Sequence, residues 1–379
     1  MTTPITAALT ACCGAAWKLT KARLDEPRDD EVLVRMIATG VCHTDVSVRD
    51  QHLPTPLPAV LGHEGAGIVE RIGAAVSDLA VGDHVVLTVA SCGQCRNCLR
   101  GLPTYCECSL PLNFSGRRLD GSATIGTEED GDVSGCFFGQ SSFATHAIAN
   151  CRNAVRIPKD VPLELMGPLG CGIQTGAGTV INALRPRFAS SLVVFGAGAV
   201  GISAIMAARL VGCATIVAVD IHANRLELAK SLGATHVVNA KEAGADVVAR
   251  VREACGGGAG ADYVVDTTGV ASVAAQAAGS LGALGQCAIV GVYPPGTQLT
   301  LPVDSLFFGQ SLGGVIEGNS VPKLFIPQLI EMWRQGRFPF DRMIEFYDFA
   351  DINEAVADGL SGKVLKPVLR IGESSAASH

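Results

Sequence analysis

The stretch Val193-Val194-Phe195-Gly196-Ala197-Gly198-Ala199-Val200-Gly201 decides the fold of half of this chain. It places the spacing G-x-G-x-x-G directly after an apolar, strand-like run and before an alanine-rich, helical one. In that setting Gly196 makes the tight turn, Gly198 lets the backbone approach a pyrophosphate, and Gly201 lets helix and strand pack closely. The amide groups at the helix N-terminus then face the phosphates. The stretch therefore predicts a dinucleotide-binding site.

A second strand ends at Asp220, about twenty residues further on, as the dinucleotide-binding pattern requires. A carboxylate there accepts hydrogen bonds from the ribose hydroxyls and repels a 2′-phosphate, which favours NAD over NADP. Arg225 follows closely, and it either touches the ribose edge or is a solvated helix residue. The alternative for the whole motif is a glycine-rich turn without a ligand, and the strand–helix setting argues against it.

Downstream of residue 190, short apolar strands alternate with helical segments, which predicts a parallel sheet with helices on both faces. The predicted strands are Leu192–Phe195, Thr215–Val219, His236–Asn239, Tyr263–Asp266 and Cys287–Val290, and the predicted helices include Arg225–Leu232 and Ala245–Ala254. From about residue 31 to 89 the pattern is different, because short strands are separated by turns. The strands predicted there are Glu31–Ile37, Gly67–Ile72 and Val81–Leu87, and they indicate an all-β, barrel-like lobe.

Composition narrows the classes of protein to consider. A chain of 379 residues is too long for one ordinary core and predicts two domains. Its net charge of −7, without a long basic run, argues against nucleic acid or an anionic membrane as a partner. One uncharged, apolar stretch, Phe188–Ala208, is long enough to mimic a membrane span, but its serines and glycines favour a buried strand that enters a helix. We expect a cytoplasmic enzyme without a secretory signal.

Four cysteines share one short segment, with the spacing C-x2-C-x2-C-x7-C: Cys92, Cys95, Cys98 and Cys106. Four thiolates can close a tetrahedral shell around zinc and leave no open position for chemistry. An iron–sulfur cluster also takes four cysteines, but its usual spacings differ. The alternatives are free thiols or two disulfides, which a cytosolic context disfavours. The segment predicts a structural zinc site, with Cys108 as a less suitably spaced neighbour.

A second, open metal site has scattered candidates in Cys42, His63 and Cys171. Each has a simpler explanation, because a buried cysteine is usually a small apolar residue and a lone histidine is usually a surface or core residue. Two cysteines and one histidine are nevertheless a known catalytic zinc set with a free fourth position. Zinc there would act as a Lewis acid towards an alcohol. The spacing leaves both interpretations open.

These features together resemble the zinc-dependent medium-chain alcohol dehydrogenase family over essentially the whole chain. The order of the motifs carries the resemblance: Gly-Val-Cys-His-Thr-Asp at 40–45, Gly-His-Glu at 62–64, four cysteines at 92–106, Gly-Cys-Gly at 170–172 and the glycine fingerprint at 196–201. The resemblance implies a two-domain α/β protein. A GroES-like β-barrel catalytic domain covers 1–173, a Rossmann NAD-binding domain with a doubly wound parallel sheet covers 174–315, and the segment 316–379, which pattern alone assigns to neither, returns to the first domain.

The resemblance also assigns roles around the catalytic zinc. Cys42, His63 and Cys171 match its ligands, and Glu64 matches a nearby carboxylate that approaches the metal during ligand exchange. Asp45 matches the hydrogen-bond partner of the histidine ligand, which fixes the ring and raises its basicity. The resemblance implies two zinc ions per subunit, one catalytic and one structural, in a homodimer or homotetramer.

Cofactor contacts follow from the same resemblance. Thr44 matches the hydroxyl that takes the alcohol proton and passes it towards the nicotinamide ribose. His43 and Lys366 match positions that face the pyrophosphate, and Thr175 and Val200 match positions near the nicotinamide. One departure concerns the outer part of the proton relay.

Many members of the family have a histidine three residues after the relay hydroxyl, where this chain has Ser47. Serine is no base at neutral pH, so the proton has to leave through water or another group. His52 is close in sequence, but the sequence does not show that it reaches.

The branch of the family sets the expected substrate. Segments at 137–144, 323–340 and 361–367 look most like aryl-alcohol (benzyl-alcohol) dehydrogenases, close to geraniol dehydrogenases. Phe137, Phe138, Val292 and Ile316 match pocket-lining positions, and Val292 also matches a cofactor contact. Two aromatic and two branched aliphatic side chains suit a flat apolar group with one CH₂OH, although either phenylalanine is alternatively a core residue. We expect an NAD-dependent dehydrogenase of aromatic or allylic primary alcohols.

Three other functions compete with this one. A glutathione-dependent formaldehyde (S-hydroxymethylglutathione) dehydrogenase needs a polar pocket, which Phe137 and Phe138 argue against. A catalytically silent structural or binding relative would be expected to lose a zinc ligand or the fingerprint. A zinc-free quinone reductase would lack the cysteine segment.

Overall fold

The structure, a computed structural model, describes residues 2–372. They form two compact units. Unit one runs from the N-terminus to Cys171 and adds Val321–Gln328 and the chain from Asp341 onward. Unit two comprises Gly172–Ser320 and Leu329–Phe340.

The strands of the described residues are numbered in chain order. They are β1 (Thr3–Thr10), β2 (Lys18–Leu24), β3 (Glu31–Gly40), β4 (Ala59–Val60), β5 (Gly65–Ile72), β6 (His84–Leu87), β7 (Ile125–Thr127), β8 (Gly131–Val133), β9 (His146–Asn150), β10 (Ala154–Ile157), β11 (Ser191–Phe195), β12 (Thr215–Asp220), β13 (His236–Asn239), β14 (Ala261–Asp266), β15 (Leu281–Ile289), β16 (Ser311–Gly314), β17 (Ile344–Asp348) and β18 (Lys366–Arg370).

The α-helices are numbered in the same way. They are α1 (His43–Arg49), α2 (Arg96–Leu99), α3 (Ser109–Phe114), α4 (Gly172–Gly178), α5 (Ala199–Leu210), α6 (Ala223–Leu232), α7 (Ala240–Ala243), α8 (Val247–Ala254), α9 (Ala271–Gly279), α10 (Pro322–Arg334) and α11 (Ile352–Ser361). A π-helical turn, Thr179–Leu184, continues α4. Short 3-10 turns include Pro103–Tyr105, Phe137–Gly139, Cys151–Asn153, Leu163–Leu165, Gly167–Gly170, Gly244–Asp246, Val303–Leu306, Phe340–Met343 and Phe349–Asp351.

Unit one is built on two β-sheets. The first has the order β4-β1-β2-β7-β8, and the second has the order β10-β6-β5-β3-β18-β17, with β9 also paired to β3. Most neighbours are antiparallel, as in the pairs β3–β5 and β5–β6, whereas β17 and β18 are parallel. Buried apolar side chains such as Trp17, Leu61 and Phe143 form one core of this unit. The β-rich lobe predicted for residues 31–89 is confirmed, but it is not all-β, because helix α1 (His43–Arg49) lies between β3 and β4.

Unit two contains a six-stranded sheet in the order β13-β12-β11-β14-β15-β16. Every neighbouring pair is parallel, so all six strands end at the same edge. The central strand β11 is buried along its whole length, as a strand covered by helices on both faces must be. The order reverses direction at β11, which makes the end of β11 the crevice where such sheets bind ligands. The predicted parallel sheet is confirmed.

The glycine fingerprint lies where β11 meets α5. Gly196 has a φ of +89°, a left-handed conformation that glycine adopts at little cost. A Cβ on Gly201 would lie 1.8 Å from the carbonyl oxygen of Gly196, so only glycine allows the helix to start this close to the strand. A Cβ on Gly198 would meet no atom within 4 Å among the residues described, as expected for a backbone left open to a phosphate group.

The C-terminal part of the chain contributes to both units. The residues of α10 are divided between the two units, because Val321–Gln328 groups with unit one and Leu329–Phe340 with unit two. β18 pairs with β3 in unit one. The compact units are defined by contacts within the fold, whereas the predicted domains are defined by their functions. The domain boundaries 1–173, 174–315 and 316–379 therefore stay predictions. Residues 373–379 of the last segment lie outside the described residues.

The uncharged stretch 188–208 forms β11 and most of α5, which confirms a buried strand that enters a helix. Among residues 2–372, no helix combines the length and apolar character needed to cross a membrane.

A buried ion-pair cluster joins β3 to the loop after α3. Arg118 binds Glu31 in a bidentate manner, with both N···O distances at 2.8 Å, and its Nη1 lies 2.8 Å from Asp25 Oδ2. The side chains of Arg118 and Glu31 are only 6% and 11% exposed. Removing one partner of such a pair leaves the other charge buried and uncompensated.

We predict that Arg118→Met destabilises the protein by about 3 kcal/mol, because Glu31 would keep a buried charge without its cation. The measurement is the thermal midpoint of unfolding at a fixed scan rate. The matched control is Arg23→Met, which removes the exposed pair with Glu128 and should leave the midpoint unchanged. Equal effects of the two substitutions would contradict the prediction.

Candidate active site

Cys42 is placed by the start of helix α1. It is the N-cap residue, with an extended φ of −122°. The carboxylate of Asp45, three residues further on, accepts a hydrogen bond from the Cys42 amide, with Oδ2 3.0 Å from the nitrogen. This side-chain contact satisfies an amide that the helix leaves free and suits the positive end of the helix dipole. The local sequence therefore fixes the direction in which the thiol points.

His63 is fixed by the same carboxylate. Asp45 Oδ1 lies 2.9 Å from His63 Nδ1 and accepts the Gly62 amide at 3.0 Å. Both side chains are fully buried. The bond at Nδ1 leaves Nε2 as the available ligand atom, and among residues 2–372 this buried nitrogen has no hydrogen-bond partner. Asp45 thus has the partner role that the resemblance implied.

Cys171 follows a 3-10 turn at 167–170, far from the other candidates in sequence. Thr88, just after β6, donates its hydroxyl to the carbonyl of Gly170 at 2.6 Å. A Cβ on Gly170 would lie 2.0 Å from the carbonyl oxygen of Leu87, so this turn is pressed against the end of β6. The sheet of unit one therefore positions Cys171.

Cys42, His63, Glu64 and Cys171 come together into one cluster. One possible ligand atom from each lies within 4.8 Å of all the others. The structure therefore brings together residues whose spacing in the sequence could not show whether they form a metal site. A hydrogen bond with Cys171 lowers the pKa of the Cys42 thiol well below its usual value, against the effect of burial. Two thiols, an imidazole nitrogen without a partner and a carboxylate are a donor set that fits zinc.

Lys366 has a position that the sequence did not indicate. Its Nζ lies 2.9 Å from both carboxylate oxygens of Glu64 and 3.2 Å from the Val41 carbonyl. The residue is only 3% exposed. Burial favours the neutral amine, but the charges of Glu64 and Cys42 outweigh it and raise the pKa of Lys366 above its usual value. Lys366 therefore holds the Glu64 carboxylate; its expected contact with the pyrophosphate stays a prediction.

Phe137 and Phe138 pack on the imidazole of His63. Phe138 stacks on it with 4.5 Å between ring centroids, and Phe137 meets it edge-on at 5.4 Å. Phe138 holds its position with a φ of +51°, which bulky residues rarely adopt. Phe114, from α3, packs against both rings. The two phenylalanines belong to the core and also wall the candidate metal centre.

The sequence analysis did not identify Gln140, which lies two residues after Phe138 in the chain. Its Nε2 donates to the His63 carbonyl at 2.9 Å, and its Oε1 accepts the Gly65 amide at 3.2 Å. The bonds hold the backbone on both sides of Glu64. A buried glutamine leaves no periodic signal in a sequence, so only the fold reveals it.

The residues of the predicted proton relay lie on and after α1. Thr44 Oγ1 is 3.7 Å from Cys42 Sγ. Ser47 is buried, with a carbonyl that accepts the His52 amide at 2.8 Å, whereas His43 and His52 are exposed residues. The structure shows no hydrogen bond from the Thr44 hydroxyl to either histidine among its described contacts, so the route of the proton to solvent stays open.

The predicted structural zinc segment forms a compact cluster of thiols. One sulfur from each of Cys92, Cys95, Cys98 and Cys106 lies within 4.8 Å of the others. None of the fourteen cysteines, all of which lie within residues 2–372, forms a disulfide bond, so the disulfide alternative is wrong for this structure. Backbone amides point at the sulfurs, as with Cys92 N to Cys106 Sγ at 3.2 Å and Cys95 N to Cys92 Sγ at 3.3 Å.

The backbone amides and the burial of this segment change the pKa values of its thiols in ways that suit a bound cation. The backbone amides of Glu107 and Cys98 lower the pKa of the Cys95 thiol to about 6, so this group is ionised at neutral pH. Burial raises the pKa of Cys106 to about 12, so that thiol ionises only if a cation replaces its proton. Four sulfurs in a shell closed by protein amides fit a structural zinc.

In unit two, Asp220 ends β12 beside the fingerprint. Its Oδ2 accepts the Ala197 amide at 2.7 Å and its Oδ1 accepts the His222 amide at 2.8 Å. Arg225 Nη1 lies 4.0 Å from Oδ2. The carboxylate is therefore oriented at the end of the crevice where a ribose would lie.

The remaining predicted contacts of unit two lie on two helices and after two strands. Thr175 is buried on α4, and Val200 is half-buried at the start of α5. Val292 and Ile316 follow β15 and β16 and are about half exposed. Their roles towards nicotinamide and substrate stay predictions.

Comparison with protein families supports this picture. A family model described as an alcohol dehydrogenase GroES-like domain matches residues 28–159. A second, described as a zinc-binding dehydrogenase, matches residues 199–333. The two models together account for most of the chain and confirm the two-domain α/β fold predicted from the sequence.

Individual relatives agree. The geraniol dehydrogenase of Castellaniella defragrans is 44% identical over 352 residues, which span 92% of this chain and 92% of that protein. The crystal structure of benzyl alcohol dehydrogenase from Acinetobacter calcoaceticus has a TM-score of 0.93 and 48% identity, and covers 98% of this chain and 100% of the other. A zinc-binding-domain alcohol dehydrogenase protein from Burkholderia ambifaria has a TM-score of 0.95 and 51% identity, with the same coverage. The chain belongs to the zinc-dependent medium-chain alcohol dehydrogenase family.

Proposed function

We propose that the protein oxidises an aromatic or allylic primary alcohol, of the benzyl alcohol or geraniol type, reversibly to its aldehyde with NAD as the hydride acceptor. The observation that carries the proposal is the donor cluster of Cys42, His63 and Cys171 with an imidazole nitrogen left without a partner. Two relatives named for geraniol and benzyl alcohol support the choice of substrate.

Zinc, when bound at this cluster, supplies a Lewis acid that lowers the pKa of an alcohol, and NAD accepts the hydride. The protein's own residues set the conditions for that chemistry. Asp45 fixes the His63 tautomer so that Nε2 is free to bind a metal, and it keeps the ring from rotating. As the resemblance implies, the Thr44 hydroxyl takes the alcohol proton; it lies 3.7 Å from Cys42 Sγ.

Lys366 and Glu64 form a neutral pair beside the cluster. An unpaired carboxylate there would disfavour negative charge on the substrate oxygen. Lys366 offsets the charge of Glu64, because it binds both carboxylate oxygens. We expect Glu64 to approach the metal only during ligand exchange, as the resemblance implies.

The apolar wall supports the proposed substrate. Phe137 and Phe138 cover one side of His63, and pockets of this kind prefer flat apolar groups with few polar anchors. S-hydroxymethylglutathione carries charged groups that apolar side chains do not solvate.

The proposal has three further parts that follow from the same resemblance. We propose that each chain holds two zinc ions, that the protein is a homodimer or homotetramer, and that it is located in the cytoplasm.

The first prediction from this proposal concerns the substrate. With purified, zinc-loaded protein, kcat/KM for benzyl alcohol or geraniol should exceed that for ethanol by about a hundredfold, as roughly 3 kcal/mol of apolar preference gives. NADH formation across a concentration range of each alcohol measures it. A preference for S-hydroxymethylglutathione would instead show that the pocket assignment is wrong, and no turnover of any substrate would favour a silent relative.

The second prediction concerns metal content. We expect the wild-type protein to hold about two zinc ions per chain and Cys95→Ser about one, because four thiolates are needed to close a structural shell. Elemental analysis of dialysed protein measures the content. The matched control is Cys108→Ser, which changes a thiol next to the cluster but outside the ligand set and should retain both ions. A loss of zinc in the control but not in Cys95→Ser would refute the ligand assignment.

The third prediction concerns the coenzyme. Asp220→Asn should reduce the preference for NAD over NADP by about tenfold or more, because the charge that repels a 2′-phosphate is removed. The ratio of the two kcat/KM values measures the preference. Asp246→Asn, the same change at an exposed residue of unit two, is the control. An unchanged ratio in Asp220→Asn would assign coenzyme choice to other groups.

A further inference from the structure

The turn 316–319 follows β16, the last strand of the sheet in unit two. All six strands end at the same edge, because every neighbouring pair is parallel. β11 carries the glycine fingerprint, and β12, on one side of it, ends at Asp220. A dinucleotide with its pyrophosphate at β11 and its adenosine ribose at Asp220 must extend its other half over the ends of β14, β15 and β16. The turn therefore lies on the nicotinamide side.

The backbone of this turn is unusual. Glu317, Gly318 and Asn319 have φ values of +49°, +64° and +51°, so three consecutive residues are left-handed. Two of them carry side chains, for which this conformation is unfavourable. Strain of this kind persists only where the surroundings hold it, and it concentrates at functional sites. Here helix α4 holds it, since a Cβ on Gly318 would lie 2.6 Å from the Gln174 carbonyl oxygen.

The turn buries a carboxylate. Glu317 is 8% exposed, and its Oε2 accepts a hydrogen bond from Gln174 Nε2 at 3.0 Å and another from Thr175 Oγ1 at 3.1 Å. Ser320 Oγ lies 3.0 Å from Gln174 Oε1 and fixes the orientation of that amide. Both bonds fall on one oxygen, and the oxygen of an amide would accept them equally well. These two contacts therefore do not require the negative charge, although burying a charge is costly.

We propose that Glu317 is a specificity-determining residue that favours the oxidised dinucleotide over the reduced one. The oxidised nicotinamide ring is cationic and the reduced ring is neutral, whereas the ADP-ribose part is the same in both. A carboxylate held away from water on the nicotinamide side attracts the cationic ring more strongly than it would in solution. The inference rests on the proposed use of NAD, and it gives the buried carboxylate of Glu317 a role in coenzyme binding.

The test is a comparison of dissociation constants for NAD⁺, NADH and ADP-ribose, measured by calorimetry on the full-length, zinc-loaded protein. ADP-ribose lacks the nicotinamide and reports on the rest of the site. We expect Glu317→Gln to weaken NAD⁺ binding by about tenfold (~1.4 kcal/mol). NADH and ADP-ribose should change by less than about twofold, because neither places a cation beside the turn.

Further variants separate charge from structure. Glu317→Asp keeps the charge and should retain most of the preference for NAD⁺, whereas Glu317→Ala is a second charge-free variant for use if the glutamine form does not fold. Glu227→Gln, the same change at an exposed residue that pairs with Lys230 on α6, is the control and should leave all three constants unchanged.

Equal weakening of NAD⁺ and NADH in a folded charge-free variant would overturn the proposal, because it would show a purely structural role. Unchanged binding of NAD⁺ would also overturn it. Failure of the wild-type protein to bind any of the three ligands is a distinct result, since it would remove the proposed use of NAD itself.

Discussion

The Asp45 carboxylate is the constraint on which the catalytic half of the molecule depends. Its two oxygens accept bonds from the Cys42 amide, the Gly62 amide and the His63 ring nitrogen. One group thus sets the start of helix α1, the approach to strand β5 and the orientation of an imidazole. Because Asp45 is fully buried, any loss of these partners would leave an unpaired charge in the core. The geometry of Cys42 and His63, two of the proposed metal ligands, is tied in this way to the stability of the fold.

Much of the fold could be predicted because its signals are local. The fingerprint needs glycines at fixed spacing for reasons of backbone geometry, and β11 and β12 are largely apolar, buried runs because the sheet is covered on both faces. The cysteine cluster was equally accessible, since its four ligands lie within one loop. Cys171 is different. Only the pairing of distant strands brings it to Cys42, and no periodicity in the sequence records that contact.

The contacts that sequence reasoning did not find share a physical cause. Arg118 and Lys366 are cations, a residue type usually found at the surface, yet each is buried against a carboxylate distant in sequence. Gln140 and Glu317 are polar residues whose partners are set by tertiary packing. Such residues carry no hydrophobic periodicity, and their roles emerge only when the fold brings their partners to them.

The pairing of Lys366 with Glu64 has a consequence for the formal charge of the whole centre. Two thiolates from Cys42 and Cys171 would balance a divalent cation, a neutral imidazole would add nothing, and the lysine cancels the glutamate. One negative charge then remains, on Asp45, and it is buried against the Cys42 and Gly62 amides and the His63 ring. Each charge of the centre thus has an opposite charge or a fixed dipole beside it, which leaves discrimination largely to shape and to desolvation, and both favour molecules that arrive uncharged.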